Sequence, residues 1–191
     1  CALPICVVKM DPLSREQTKA LAGHYLGEHA KAFLSEISDN NAWGFARRPQ
    51  DVLRLSSYWL EHRSFGSLSE LIEYDIQARL RESDEDRNKD GVLPNELLRQ
   101  GAELLAAAAI FGKTFSIALE NEDPAIAGSV VVPSLELPSW NPEQRRELLT
   151  RALFDPAAFG LVRFHHRSAA EYLAAKWIDL AAAGSADTIL S

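Results

Sequence analysis

The sequence is short of cysteine, of long apolar runs and of basic charge, and each shortage removes a class of protein. Its two cysteines, Cys1 and Cys6, stand at the extreme start of the 191 residues. Five positions apart in an extended segment, they would face opposite sides and lie too far apart to bridge. With no disulfide framework in view, the reducing cytoplasm is the expected compartment. No apolar stretch approaches the roughly 20 residues that span a bilayer. The longest candidate, Ala106 to Phe111, is flanked by Glu103 and Lys113 and reads as a buried helix segment. Basic side chains number 20 against 27 acidic ones, a net charge of −7. Nucleic-acid binding draws most of its affinity from basic side chains that neutralise phosphates, so this balance argues against it. Arg145, Arg146 and Arg151 could still form a local basic patch, and the plainer expectation for them is a solvated helix face.

The familiar catalytic signatures are missing too. There is no Gly-x-x-x-x-Gly-Lys-Ser/Thr loop, no Gly-x-Gly-x-x-Gly, no Gly-x-Ser-x-Gly and no His-Glu-x-x-His. No Cys-x-x-Cys pair offers a zinc site. The chain is therefore not expected to be an enzyme in itself.

What is present is an ordinary globular balance, 47% hydrophobic and 25% charged, enough to bury a core in one large domain or two small ones. Ile5 to Met10 reads as a buried strand with no partner nearby, which suggests the last strand of a sheet built by preceding sequence, and hence a piece of a longer protein. Helix signals then dominate. Ser14 and Gln17 form a capping box, and Ala30, Phe33, Leu34 and Ile37 fall on one helical face. Pro49 suits the first turn of a helix carrying Val52, Leu53, Leu55, Tyr58, Trp59 and Leu60. A second capping box, Ser67 with Glu70, opens a helix striped by Leu71, Ile72, Ile76 and Leu80. Residues 81 to 91 read as a polar loop, followed by a Leu- and Ala-rich helix from Pro94 that Gly112 caps. Residues 114 to 140 read as short strands or an irregular excursion. Asn141-Pro142 starts a further helix, Phe159 to His165 reads as a strand, and Ser168 with Glu171 as a third capping box.

The expected fold is thus mainly α, a small helical bundle followed by a winged-helix-like domain with a short β-hairpin. The expected divisions are 1–66, 67–183 and a frayed tail at 184–191.

Three clusters are candidate sites. Asp86, Asn88 and Asp90, with Gly91 at the sharp-turn position, resemble the opening of an EF-hand loop, a weak calcium candidate. The bidentate Glu at the twelfth position is replaced by Leu97, and Pro94 interrupts the loop. His165 and His166 join a strand to a helix start, where strand alternation should send the two rings to opposite sides. One would be an ordinary buried histidine, and the other would face a helix N-terminus that can attract phosphate. A zinc set of either histidine with Glu171 has too few ligands to be favoured. Arg47-Arg48-Pro49 reads by itself as a basic turn before a helix.

In this order the pieces resemble the region after the nucleotide-binding core of STAND-type NTPases, above all bacterial NACHT-like ones. Val7-Val-Lys-Met-Asp-Pro-Leu-Ser14 resembles the last core strand and the lead into the lid helices. Phe45-Ala-Arg-Arg-Pro-Gln-Asp51 is similar to the family's Arg-Pro segment. Phe164-His-His-Arg-Ser-Ala-Ala-Glu-Tyr-Leu-Ala-Ala175 resembles its winged-helix motif and is the most specific match.

The resemblance implies that His166 is a sensor histidine contacting the β-phosphate of ADP, and that Pro49, beside Arg48, lies against the base. It implies ADP or ATP with magnesium in the parent protein, none in the isolated fragment, and the upstream core of the same chain as partner. Opening on nucleotide exchange would permit self-association, and in bacteria a role in defence against phage follows by analogy. The P-loop, the magnesium-binding strand and the arginine sensors are absent from this chain, so no hydrolysis is expected of it. Two other classes remain open. One is a winged-helix nucleic-acid-binding module, which would need basic residues on a recognition helix that 67–80 and 94–111 do not carry. The other is an interaction domain with a calcium-stabilised loop.

Overall fold

The computed structural model describes residues 11–81, 93–119, 130–157 and 160–189, with 183–189 by backbone alone. Cys1, Cys6, the strand expected at 5–10 and the candidate calcium ligands Asp86, Asn88 and Asp90 lie outside the described residues. The chain is mainly helical with a small antiparallel sheet, and it divides into two compact units, Cys1–Leu71 and Ile72–Ser191. Among the described residues no helix is long and apolar enough to cross a membrane.

The first unit holds α1 (Arg15–Leu26), α2 (Ala30–Asp39) and α3 (Pro49–His62), with 3₁₀ turns at Gly27–His29 and Ala42–Phe45. Ser14 caps α1 with Gln17 in a reciprocal box, satisfying backbone donors that a helix start leaves orphaned. Phe33 and Ile37 of α2 and Val52, Leu55 and Trp59 of α3 are buried. Phe33 meets the Phe65 ring edge-on at 5.5 Å between centroids, a geometry the ring quadrupoles favour. α3 ends in a left-handed Arg63, whose N–H returns to the Trp59 carbonyl.

The helix α4 (Leu68–Arg81) begins from the Ser67–Glu70 box and carries the boundary between the units within its first turn. The second unit continues with α5 (Asn95–Phe111), β1 (Ile117–Ala118), α6 (Pro133–Glu136), α7 (Pro142–Leu149), β2 (Phe154–Pro156), β3 (Leu161–Phe164) and α8 (Arg167–Ile189). The sheet order is β1-β3-β2, antiparallel throughout, with Ile117 opposite Val162 and Phe154 opposite Phe164. Helix, short strand, helix-turn-helix and hairpin make the winged-helix arrangement. The stretch at 114–140 thus supplies one strand and one short helix, besides the segment outside the described residues.

Several sequence expectations are corrected here. The helix directly before the hairpin is α7, the second of the α6–α7 pair, so α7 rather than the helices at 67–80 or 94–111 holds the recognition position. Arg145 and Arg151 are neither a basic patch nor a solvated face, since both are buried. The Arg145 guanidinium donates to the carbonyls of Leu137 and Trp140, and Arg151 pairs with Glu147. Ser168 does not cap α8, because the helix starts one residue earlier at Arg167. The His166 carbonyl accepts from Ala169 N–H at 3.2 Å and Ala170 N–H at 3.3 Å, and Glu171 pairs with Arg167 instead. Gly112 is the cap residue of α5, but the left-handed turn falls on Lys113. What calls for glycine is close approach: a Cβ at Gly112 would stand 2.7 Å from the Ala108 carbonyl oxygen.

Candidate functional site

The hairpin and α8 together position the two histidines. Along β3, Val162 and Phe164 point inward while Arg163 is exposed, the alternation a half-buried strand imposes. Phe164 lies against Phe154 with centroids 4.8 Å apart. On α8, Ala169, Ala170, Leu173 and Ala174 are buried. The apolar members of the Phe164 to Ala175 motif therefore anchor the strand and the helix, and the polar junction between them carries His165 and His166.

The alternation expected of the two histidines does not occur, because β3 ends at Phe164 and the chain turns into α8. Their rings pack edge to face with centroids 4.6 Å apart. His165 is tied down at both ends. Its N–H donates to the Leu153 carbonyl at 2.9 Å, and its Nδ1 lies 2.9 Å from Asp155 Oδ1 on β2. A carboxylate can only accept, so Nδ1 carries the proton and orients the ring. Asp155 was not singled out from the sequence, since its role depends on strand pairing ten residues away. His166 sits at the entry to α8, where the helix dipole favours anions. Beside it, the Arg167 guanidinium lies 5.2 Å from the Phe115 ring centroid and pairs with Glu171 at 2.7 Å. Glu171, the third member of the zinc set considered above, is thus engaged in an exposed ion pair.

In the first unit, Arg48 and Pro49 are exposed at the start of α3. Arg48 is extended (φ −125°, ψ 148°) and Pro49 occupies the first turn. The loop before them is held to the start of α1 by two hydrogen bonds. Leu13 N–H donates to the Arg47 carbonyl at 2.7 Å, and the buried Thr18 hydroxyl donates to the Ala46 carbonyl at 3.0 Å. The lead into the first helix and the Arg-Pro segment, distant in sequence, are thus one local structure.

A second constellation was missed in the sequence. Arg99 on α5 forks onto Glu73 of α4, Nη1 to Oε1 at 2.7 Å and Nη2 to Oε2 at 2.9 Å, while its Nε donates to Glu103 at 2.7 Å. Gln77 donates to Glu73 at 2.9 Å. Burial works to raise the Glu73 pKa, but the Arg99 and Gln77 hydrogen bonds outweigh it and hold the carboxyl below its ordinary range. Burial likewise works to lower the Arg99 pKa, and the two carboxylates reverse this. For Tyr172, burial and Glu73 both push the phenol upward. The network borders a polar cleft of about 390 Å³ that Gln77, Leu80 and Glu96 also line. The only sequence signal was the helical spacing of Glu73 with Gln77 and of Arg99 with Glu103.

The fold class is thereby defined: a mainly α chain with a winged-helix-like unit. Comparison with protein-family models, curated proteins and solved structures finds no match to this chain.

Proposed function

We propose that this chain is the regulatory lid and winged-helix segment of a STAND/NACHT-like signalling ATPase. The observation that carries the reading is the setting of His166. The motif that names it lands on a strand-to-helix junction, with Phe164, Leu173 and Ala174 buried as anchors and the histidine at a helix entry suited to phosphate. The pairing of the lead segment with the Arg-Pro loop, through Leu13 and Arg47, supports the same reading for the lid.

In the resting state His166 donates to the β-phosphate of ADP, and Pro49 packs on the base with Arg48 beside it. Magnesium and the hydrolytic groups belong to the upstream core, the partner of this segment. Exchange for ATP removes the contact that favours closure and permits self-association, a ligand-biased two-state switch. The setting is cytoplasmic signalling, in bacteria of the kind directed against phage. Nucleic-acid binding by α7 is disfavoured by the inward course of Arg145 and Arg151, which leaves Arg146 as that helix's exposed cation. An interaction domain stabilised by calcium at Asp86, Asn88 and Asp90 would instead melt at a higher temperature when calcium is added.

The test uses the protein extended upstream through the core, purified, denatured and assayed for released nucleotide. Wild type should release stoichiometric ADP. His166→Ala should bind it about tenfold to a hundredfold more weakly, the worth of one hydrogen bond to a charged group. Absence of nucleotide from both proteins would overturn the assignment.

A further inference from the structure

We infer that Asp155, on the strand β2, fixes the ring orientation of His166 and does so through His165. The weight given to His166 rests on the function proposed above, while the chain of contacts stands on geometry within the second unit.

The hairpin makes the first link. Asp155 and Arg163 are register partners across β2 and β3, so their side chains share one face of the hairpin. His165 follows Arg163 by two residues, and its N–H donates to the Leu153 carbonyl at 2.9 Å. That bond sets His165 diagonally across from Asp155, a spacing that a ring and a carboxylate can close. Its Nδ1 accordingly stands 2.9 Å from Asp155 Oδ1. Leu153 holds the residue by its backbone and Asp155 holds it by its ring.

The second link is directional. Water meets 4% of the His165 side chain and 19% of the Asp155 side chain, so solvent competes weakly for the carboxylate. A half-turn of the imidazole about its Cβ–Cγ bond would put a carbon where Nδ1 stands and forfeit the bond. Asp155 therefore selects one ring orientation and, in the neutral imidazole, the tautomer with its proton on Nδ1.

The third link is the ring pair. The His165 and His166 centroids are 4.6 Å apart and the planes meet at 86°. An edge-to-face contact is attractive for one relative orientation, because the ring edge is positive and the face negative. Turning His165 thus removes the support beside His166. A histidine that must meet a phosphate needs its ring held within about 10–20° of the productive geometry. Asp155 and His165 are positioning residues for His166, and the hairpin supplies that hold.

The experiment uses this chain as it stands, without nucleotide, so that it and the ATPase reading fail independently. Long-range proton–nitrogen NMR correlation, at a pH where both rings are neutral, reads the tautomer of each histidine. Nuclear Overhauser contacts between the rings read their packing. Wild type should show His165 protonated on Nδ1 and contacts between the two rings. Asp155→Ala should move His165 about tenfold toward the Nε2–H tautomer, the scale of one lost hydrogen bond to a charged group. The same variant should shift the His166 ring resonances and weaken the contacts between the rings. Asp155→Asn keeps an acceptor oxygen and should restore the wild-type pattern at both rings. Arg163→Ala removes the register partner and should behave as wild type. Protection of the Ala157 amide, which bonds to the Leu161 carbonyl, reports that the hairpin is intact. A wild-type His165 protonated on Nε2 would overturn the inference before any variant is made. So would unchanged His166 resonances in Asp155→Ala, or an Asp155→Asn protein that matches Asp155→Ala.

Discussion

Gly101, midway along α5, lies beneath Trp140: a Cβ there would come within 2.6 Å of Trp140 Cη2 and 2.9 Å of Leu148 Cδ2. Glycine in a helix interior ordinarily costs about 1 kcal/mol relative to alanine, so the sequence alone suggests Gly101→Ala as a stabilising change. The packing reverses that sign. Neither the buried indole nor the buried leucine can move aside freely, and overpacking of this kind costs about 1–3 kcal/mol. Gly101→Ala is expected to lower the urea midpoint of unfolding. A raised midpoint would show that the indole swings away at little cost.

Glu73 gives the fold a pH dependence with a defined sign. Its folded pKa lies below the ordinary value of 4.5, because the Arg99 and Gln77 hydrogen bonds outweigh the effect of burial. A carboxylate shifted this way stabilises the fold above its ordinary pKa and loses that contribution as the pH falls through the folded value. Wild type should therefore lose stability on acidification below pH 4.5, and Glu73→Gln should lose less over the same interval. Urea midpoints measured at several acidic pH values would show the two curves converging. Parallel curves would mean that the pair contributes no linkage.

Arg145 and Arg146 are neighbours with opposite fates, which makes them a controlled pair. Arg145 donates to the carbonyls of Leu137 and Trp140 that close the turn before α7, whereas Arg146 is exposed. Arg145→Ala removes the guanidinium from the Trp140 carbonyl and from the Leu137 carbonyl, which keeps only the Trp140 N–H, and is expected to cost about 1–3 kcal/mol. Arg146→Ala should stay within about 0.5 kcal/mol. Denaturant titration of both variants checks this, and equal effects would contradict the burial that separates them.

Thr18 carries the corresponding prediction for the first unit. Its hydroxyl is the buried tie between α1 and the loop ahead of Arg48 and Pro49. Thr18→Val keeps the shape and leaves the Ala46 carbonyl without that donor, at an expected cost of about 1–3 kcal/mol. Faster hydrogen exchange at Leu13 and Val52 N–H, whose acceptors are Arg47 and Arg48, should accompany the loss. Protection unchanged at both amides would show that the loop is held by other contacts.

Local rules were legible in the sequence wherever a helix decides its own ends. Ser14 with Gln17, Ser67 with Glu70, and Asn141 ahead of Pro142 all cap helices as read, because capping needs only residues three positions apart. Ser168 with Glu171 has the same local form and fails. There the helix start is set by where β3 ends, and strand pairing is a tertiary matter. The expectation that His165 and His166 face opposite ways fails for the same reason.

The sequence by itself determined the helix periods, most of the caps and the mainly α class, since these follow from side-chain pattern and short-range hydrogen bonds. It also carried the motif that singles out His166. Only the tertiary structure decided which charged residues go inside. Arg145 and Arg99 carry the same side chain as exposed arginines, and what separates them is the presence of carbonyls or carboxylates brought from other elements. Burial of a charge is favourable only where such partners converge, and the Glu73–Arg99 fork pairs residues on two helices, α4 and α5, that the chain alone does not place side by side.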